Sequence, residues 1–335
     1  MRKRAIHKTA VFFLSLVFVA IFAVTACDSN TQRTEQSESS AQTALERSEQ
    51  DSIATKTVGH ALGQVEIPLQ PQRIVVLDAI GSFYIDALSS LGIQPVGVTR
   101  CADCIALNYF DEFLQDVPSV GNDSRPSLET ILGLEPDLIL GYSWQRNFYP
   151  RLSEIAPTVI MDIFSEGNDF KRNFRYLAEI LGKSNQAEVV LANYDAQIQE
   201  FRQQMGDKLK NKTVSLFSFW GSAVHVYGPD ILAYAQVLRD AGIQFIPAYE
   251  DLGSNHLRLS LESLPNWDAD FLFLDLFYKE EFESIDSLSL FTEPLWSSLN
   301  AVQKDQVYVT NWYGGGPVMA NQVIDDLYEY FSEML

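Results

Sequence analysis

Cations and flat aromatic rings are the residues of this sequence best suited to chemistry, and they stand beside strand-like runs. Arg100 follows the run 96–98, and Trp144 and Arg146 follow the run ending at Leu140. Arg125 immediately precedes Pro126-Ser127-Leu128-Glu129, and Arg258 precedes Leu259-Ser260-Leu261-Glu262. Trp220 closes the run 213–219, Trp312 and Tyr313 follow the run 306–310, and Tyr227 and Tyr278 complete the aromatic set. A guanidinium presents a rigid fork of N–H donors to carboxylates, and an aromatic face takes cations or flat ligands. Together they suit the holding of an anionic, partly apolar ligand. Gly314-Gly315-Gly316, directly after Tyr313, would let a ligand or another stretch of backbone come close. Bond-making chemistry is not indicated. There is no Gly-x-Ser-x-Gly elbow, phosphate loop or His-Glu-x-x-His, and spacing sets no pair of carboxylates apart, so no catalytic residue is assigned.

Metal ligation finds as little support. Of the four histidines, His7 lies in the leader and His60 near the tether, while His225 and His256 fall near the candidate binding residues. His225 stands on a strand-like edge, where it reads as a polar contact rather than a metal ligand. Neither histidines nor tyrosines form a spaced cluster of the kind that holds zinc or bare ferric ion, so no metal ligand is assigned. Cys101 and Cys104 are spaced C-x-x-C, with no second pair or nearby histidine to complete a zinc site. A local disulfide in an oxidising compartment is the simplest reading, with a redox role as the alternative.

The compartment is read from the N-terminus. Arg2, Lys3, Arg4 and Lys8 form a basic patch, and residues 11–24 are apolar apart from Ser15. This stretch is short for a membrane span and ends in the small residues before Cys27, as a signal peptide does. Val24-Thr25-Ala26-Cys27 resembles the lipobox of bacterial lipoproteins, in which the cysteine is lipidated after cleavage. No second long apolar run follows. The whole chain carries −20, and removing the four basic leader residues, which have no acidic neighbours, leaves −24. Such a charge excludes nucleic acid and anionic headgroups as partners and suits a basic partner surface.

The elements that must position these residues alternate along the chain. Residues 73–77, 95–98 and 137–140 read as strands, with helices at 83–91 and 127–134 between them. The same alternation resumes after residue 212, with a helix at 231–241, a helix opening at 260–264 and a closing helix at 320–334. It argues for α/β units on mostly parallel sheets. Between the two stretches, a helix at 170–181 and a break at 182–185 precede a long amphipathic helix. Its stripe is Ala187, Val190, Leu191, Tyr194, Ile198, Phe201 and Met205, at steps of three and four. The flanking halves echo each other. Glu129 and Glu262 are 133 residues apart, and so are Asp137 and Asp270. Each Ser-Leu-Glu leads through a short segment to an aspartate and a strand.

Several segments together resemble the class III periplasmic binding proteins, the ferric-siderophore and cobalamin receptors of ABC importers, over about residues 60–335. They are Arg73-Ile-Val-Val-Leu77, Leu91-Gly-Ile-Gln-Pro-Val-Gly97, Pro126-Ser-Leu-Glu-Thr-Ile-Leu-Gly-Leu-Glu-Pro-Asp137, Leu152-Ser-Glu-Ile-Ala-Pro-Thr158 and Pro294-Leu-Trp296. The resemblance implies an α/β fold of two Rossmann-like lobes joined by a single long, rigid helix. It divides the chain into a lipoprotein signal peptide (1–26), a flexible tether (27–59), an N-terminal lobe (60–168), a connecting helix (169–208) and a C-terminal lobe (209–335). It implies a periplasmic lipoprotein anchored through Cys27, working as a monomer with no cofactor and delivering its ligand to membrane permease subunits. Glu129 and Glu262 stand where relatives carry the acids that dock into basic pockets of the permease. The implied ligand is a ferric siderophore of hydroxamate or citrate-hydroxamate type. Cobalamin, haem or a bare metal ion are the alternatives. Arg100, Arg125, Trp144, Arg146, Trp220, Tyr227, Arg258, Tyr278, Trp312 and Tyr313 would line the cleft, and Trp312-Tyr313 match an aromatic position of hydroxamate receptors.

Overall fold

The computed structural model describes residues 54–78, 83–101, 110–163, 167–220, 223–276, 289–312 and 314–331. Cys27, Cys104, Tyr278 and Tyr313 lie outside these residues. Trp220 is placed as the last residue of a strand, without a described side chain.

The chain enters the fold through an antiparallel hairpin, β1 (Thr55–His60) and β2 (Gly63–Pro68). The tether expected over 27–59 is thereby corrected at its carboxyl end. Val58 and Ile67 are buried, and the Ala61 N–H donates to the Ile160 carbonyl at 2.9 Å. Lys56 and the Tyr176 hydroxyl donate to the carbonyls of Glu179 and Gly59. The polar residues here form the solvent face of a hairpin whose anchors come from far along the chain, so local composition gave no sign of it.

Short aliphatic runs then build a parallel sheet. Its strands are β3 (Ile74–Val76), β4 (Gly97–Val98), β7 (Leu138–Tyr142) and β8 (Thr158–Met161), in the order β4-β3-β7-β8. Every residue of these strands is buried, as expected where helices cover both faces. A two-residue hairpin, β5 (Gly121–Asn122) with β6 (Arg125–Pro126), lies between β4 and β7 in sequence. Helix α1 (Phe83–Ser90) follows β3, and α2 (Leu128–Gly133) precedes β7, with the Ser127 hydroxyl accepting the Thr130 N–H as its cap.

Helices α3 (Phe170–Ile180) and α4 (Ser184–Leu209) carry the chain out of this sheet. Gly182, at φ +67, makes the turn between them, where a Cβ would press on the Leu69 carbonyl. Helix α4 has 26 residues and is about 39 Å long. It buries Ala187, Leu191, Tyr194, Ile198, Phe201, Met205 and Leu209 on one stripe. Phe170 meets Tyr194 edge-on at 5.1 Å, and Lys171 binds both Asp195 and Asp240.

The second sheet is larger. Strands β9 (Thr213–Trp220), β13 (Phe271–Leu276) and β14 (Val307–Thr310) run parallel, and β11 (Gln244–Phe245) adds to the start of β9. Strands β10 (Ala223–Tyr227) and β12 (His256–Arg258) extend it antiparallel, giving the order β12-β10-β9-β13-β14. Helices α5 (Ala233–Asp240) and α6 (Pro317–Tyr330) pack on it. The α-helix expected to open at 260–264 is instead a 3-10 helix, Leu261–Trp267, with Pro265 inside it. Proline cannot donate the i→i−4 bond that a continuing α-helix needs.

The two lobes explain the repeated aspartates. Asp137 accepts the N–H groups of Gln72 and Arg73 at 2.7 and 2.9 Å, fixing the start of β3 beside β7. Asp270 accepts the Thr213 N–H at 3.0 Å and the Lys212 ammonium at 3.1 Å, fixing the start of β9 beside β13. Burial alone would raise its carboxyl, but the Thr213 amide and Lys212 hold it below the ordinary value. Each aspartate closes the amino end of its lobe's sheet.

Candidate ligand-binding site

In open parallel sheets, ligands bind beyond the carboxyl ends of the strands, and the structure places two such rims. On the first lobe, β4 ends at Val98 and leads to Thr99, whose hydroxyl donates to Asp123 at 2.6 Å. Arg100 donates from Nη2 to the carbonyls of Leu114 and Val117, at 2.7 and 2.9 Å. It thus ties the neighbouring loop to the sheet. Arg125 differs. Gly121, at φ +96, makes a turn so close that a Cβ would meet the Arg125 carbonyl at 2.6 Å. This fixes the β5–β6 hairpin, on which Arg125 is exposed, and its guanidinium has no partner among the described residues.

Strand β7 ends at Tyr142, whose hydroxyl accepts the Phe83 and Tyr84 N–H groups of α1 at 3.2 and 3.3 Å. Trp144 stacks on that ring, with centroids 4.2 Å apart and planes 20° from parallel, and remains 43% exposed. Gln145 is buried beneath it, accepting from Tyr142 N–H and donating to the Leu77 carbonyl. Arg146 is exposed, with Nε on the Ser143 carbonyl. The rim therefore carries a supported, partly exposed indole face and the exposed guanidinium groups of Arg125 and Arg146.

The second rim is a polar row across the sheet. Register aligns Arg258 of β12 with His225 of β10, His225 with Ser218 of β9, Ser218 with Asp275 of β13, and Asp275 with Thr310 of β14. Aligned residues share a face. Two register positions along, and so on the same face, Tyr227 pairs with His256. The Tyr227 ring stacks with both imidazoles, 5.4 Å from His256 at 15° and 6.2 Å from His225 at 20°. Asp275 is buried and accepts the Tyr234 hydroxyl at 2.8 Å. Burial lowers the His225 pKa, and the charges of Arg258 and His256 lower it further. Burial and Asp275 raise that of Tyr227. Sequence reasoning found Tyr227 and Arg258 but left His225 and His256 as isolated histidines. The missed signal was the alternation of His225-Val226-Tyr227 and His256-Leu257-Arg258, the pattern of paired strands.

One contact brings the rims together. Asp86, in the first turn of α1, accepts the Val318 and Met319 N–H groups at the start of α6, both at 2.8 Å. Helix α1 follows β3 and α6 follows β14, so each begins at the carboxyl end of its own sheet. This contact joins the end of the first sheet beyond β3 to the end of the second beyond β14. The glycine run belongs to this joint. A Cβ on Gly314 or Gly316 would meet the Asp86 carboxylate at 2.8 or 2.5 Å, and one on Gly315 would meet Phe83 at 3.1 Å. The expected close approach is real, and its occupant is the other lobe. Burial raises the Asp86 carboxyl to about 7, against the lowering effect of the Met319, Val318 and Gly316 amides; Asp78 adds to the rise.

Trp312 is a correction. It is 1% exposed, packs on Phe273 at 4.9 Å and Tyr234 at 5.5 Å, and donates Nε1–H to Asp326 at 2.9 Å. A ligand platform needs an open face, and this indole has none. Glu129 and Glu262 are both exposed. Cys101 is disulfide-bonded, with its partner outside the described residues. Among the described residues, no group of three or more His, Cys, Asp or Glu side chains is placed to hold a metal ion, and no helix is long and apolar enough to cross a membrane.

Comparison with known proteins agrees with this architecture. Residues 79–312 match the family of periplasmic binding proteins. The chain is 31% identical to "Probable siderophore-binding lipoprotein YfiY" of Bacillus subtilis strain 168, over 95% of this chain and 98% of that protein. It is 31% identical to the achromobactin-binding periplasmic protein of Dickeya dadantii, over 77% of this chain and 85% of the other. The crystal structure of Staphylococcus aureus SirA complexed with staphyloferrin B superposes with a TM-score of 0.70 at 28% identity, covering 83% of this chain and 99% of SirA.

Proposed function

The chain belongs to the periplasmic binding protein family, and on that premise we propose that it captures a ferric siderophore and delivers it to the permease of an ABC importer. The observation that carries this reading is the pair of adjoining rims. Arg125, Trp144 and Arg146 stand on one, and Tyr227, Arg258, His225 and His256 on the other. A siderophore already coordinates its iron, so the receptor need only hold an anionic, partly apolar shell. Exposed guanidinium forks and a stacked indole do that without ligating the metal. Relatives named for siderophore binding support the same class. The ligand leaves as it arrived, so the chain is a receptor and not an enzyme.

Delivery rests on Glu129 and Glu262. Each lies in the first turn of the segment that runs back before a parallel strand, β7 or β13, and so on the rim side of its lobe. Exposed there, the two acids suit basic pockets on a permease. A lipid on Cys27 would hold the receptor at the membrane in the periplasm, as a monomer on a tether that ends where β1 begins.

The test is a tryptophan-fluorescence titration of the mature chain. The panel is ferric hydroxamate, citrate-hydroxamate and catecholate siderophores, ferric citrate, haem, cobalamin and bare ferric ion. Saturable quenching by a siderophore, lost in Trp144→Ala or Arg125→Ala, supports the proposal. Quenching by haem, cobalamin or bare iron alone refutes the ligand class, and silence across the panel refutes iron-chelate capture.

A further inference from the structure

The row on the second rim contains groups that siderophore capture by fixed charges does not require. His225 and His256 flank Tyr227 on one face of β10 and β12, and Arg258 pairs in register with His225. All of β12 is exposed, and Arg258 has no ion-pair partner among the described residues. Among the described residues, the titratable and charged neighbours come from each packed strand. Strand β12 supplies His256 and Arg258, β10 supplies Tyr227, β9 supplies only neutral Ser218, and β13 supplies Asp275. Asp275 stands two strand spacings from His225, about 10 Å, and already takes the Tyr234 hydroxyl. Among the described residues, this edge of the sheet therefore carries the permanent charge of Arg258 beside His225, an imidazole that can acquire charge.

We infer that His225, Tyr227, His256 and Arg258 form a proton-coupled anion grip, which selects chelates bearing uncoordinated carboxylates and tightens as His225 protonates. This rests on the receptor reading above and deepens it by naming the ligand chemistry and its regulation. In the empty site, burial disfavours the protonated form of His225, and Arg258 and His256 add a repulsion of its proton. An arriving carboxylate cancels that repulsion. Protonation is then favoured in the complex more than in the free protein, so binding takes up protons. Affinity rises as pH falls, by up to about tenfold per pH unit for each proton taken up. The Tyr227 ring fixes both imidazoles in parallel planes, so they face one ligand from the same side. A chelate without free carboxylates gains nothing from the added charge.

The experiment measures affinity for ferric citrate and for ferrioxamine B, a trihydroxamate, at pH 5.5, 6.5 and 8.0. It uses the mature chain and the His225→Gln, His256→Gln and double variants. Comparing proteins on the same chelate sample cancels any effect of pH on the chelate. The expected result is at least tenfold tighter ferric citrate binding at pH 5.5 than at 8.0, and less than threefold change for ferrioxamine B. The double variant should lose the pH dependence, its ferric citrate affinity changing less than threefold between pH 5.5 and 8.0. Calorimetry in buffers of different ionisation enthalpy should show proton uptake in the wild type only. His256 is exposed, so its single variant does not threaten the fold. An unchanged pH slope in the double variant, an equal slope for ferrioxamine B, or no ferric citrate binding at pH 5.5 overturns the inference. The receptor reading falls only if no chelate of the wider panel binds at any pH.

Discussion

Replacing Asp86 with asparagine tests how the two lobes are joined. The carboxyl has an ordinary value of 3.8 and is raised to about 7 in the fold. Between those limits the folded chain keeps a proton that the unfolded chain has released. Stability therefore falls as pH rises through this window, by about 1.4 kcal/mol per unit. Over roughly three units the loss is about 4 kcal/mol, complete near pH 8. Asparagine cannot ionise and so escapes the loss. Its amide donors, however, confront one of the Val318 and Met319 N–H groups, at a cost of about 1–3 kcal/mol that does not depend on pH. The variant should be the less stable protein at pH 5 and should draw level or lead at pH 8. Between pH 5 and pH 8, which spans about two of those three units, the gap between the proteins should change by about 2.6 kcal/mol. Urea unfolding at both pH values measures it, and other carboxylates cancel because both proteins share them. A gap that changes by less than about 1 kcal/mol, well under half of that linkage, would show that Asp86 does not titrate in this window and would refute the account of the joint.

Three further expectations concern the same surfaces. Gly316→Ala places a methyl 2.5 Å from the Asp86 carboxylate and should cost about 1–3 kcal/mol, seen as a lower melting temperature with the fold retained; an unchanged temperature would mean the joint is looser than described. Trp312→Phe removes the indole donor from Asp326 and should cost about 1.5–3 kcal/mol, with chelate affinity within about twofold of wild type. A large affinity loss at full folding would return Trp312 to the cleft. Glu129→Lys with Glu262→Lys should leave stability within about 0.5 kcal/mol and chelate affinity unchanged, while cellular uptake of labelled iron collapses. Normal uptake would sink the docking role.

Much of the fold was legible because its signals are local. Buried parallel strands must be nearly continuous aliphatic runs, so 73–77 and 137–140 announced themselves, as did the stripe from Ala187 to Met205. The edge strands escaped. β10 and β12 are short and carry histidine, tyrosine and arginine, so neither hydrophobicity nor length separates them from loop. Strand β1 was read as tether for the same reason, since the buried side of its hairpin is only Val58 and Ile67. In the site, Arg125, Trp144, Arg146, Tyr227 and Arg258 stand at the strand-end rims. Arg100 is committed to backbone carbonyls, and Trp312 proved to be core, because an aromatic beside three glycines reads alike whether the glycines admit a ligand or a neighbouring helix.

By itself, then, the sequence determined the α/β alternation, the long helix between two similar halves and the aspartates that close each sheet. Each of these is set by side-chain periodicity or by a carboxylate next to its own strand. The tertiary structure alone decided which strand ends face each other, that Asp86 reaches the amides of a helix 232 residues away, and that two isolated histidines become one cluster. Those outcomes depend on register and on crossings between lobes. Both are chosen by the total burial of many side chains at once, and no single stretch of the chain encodes them.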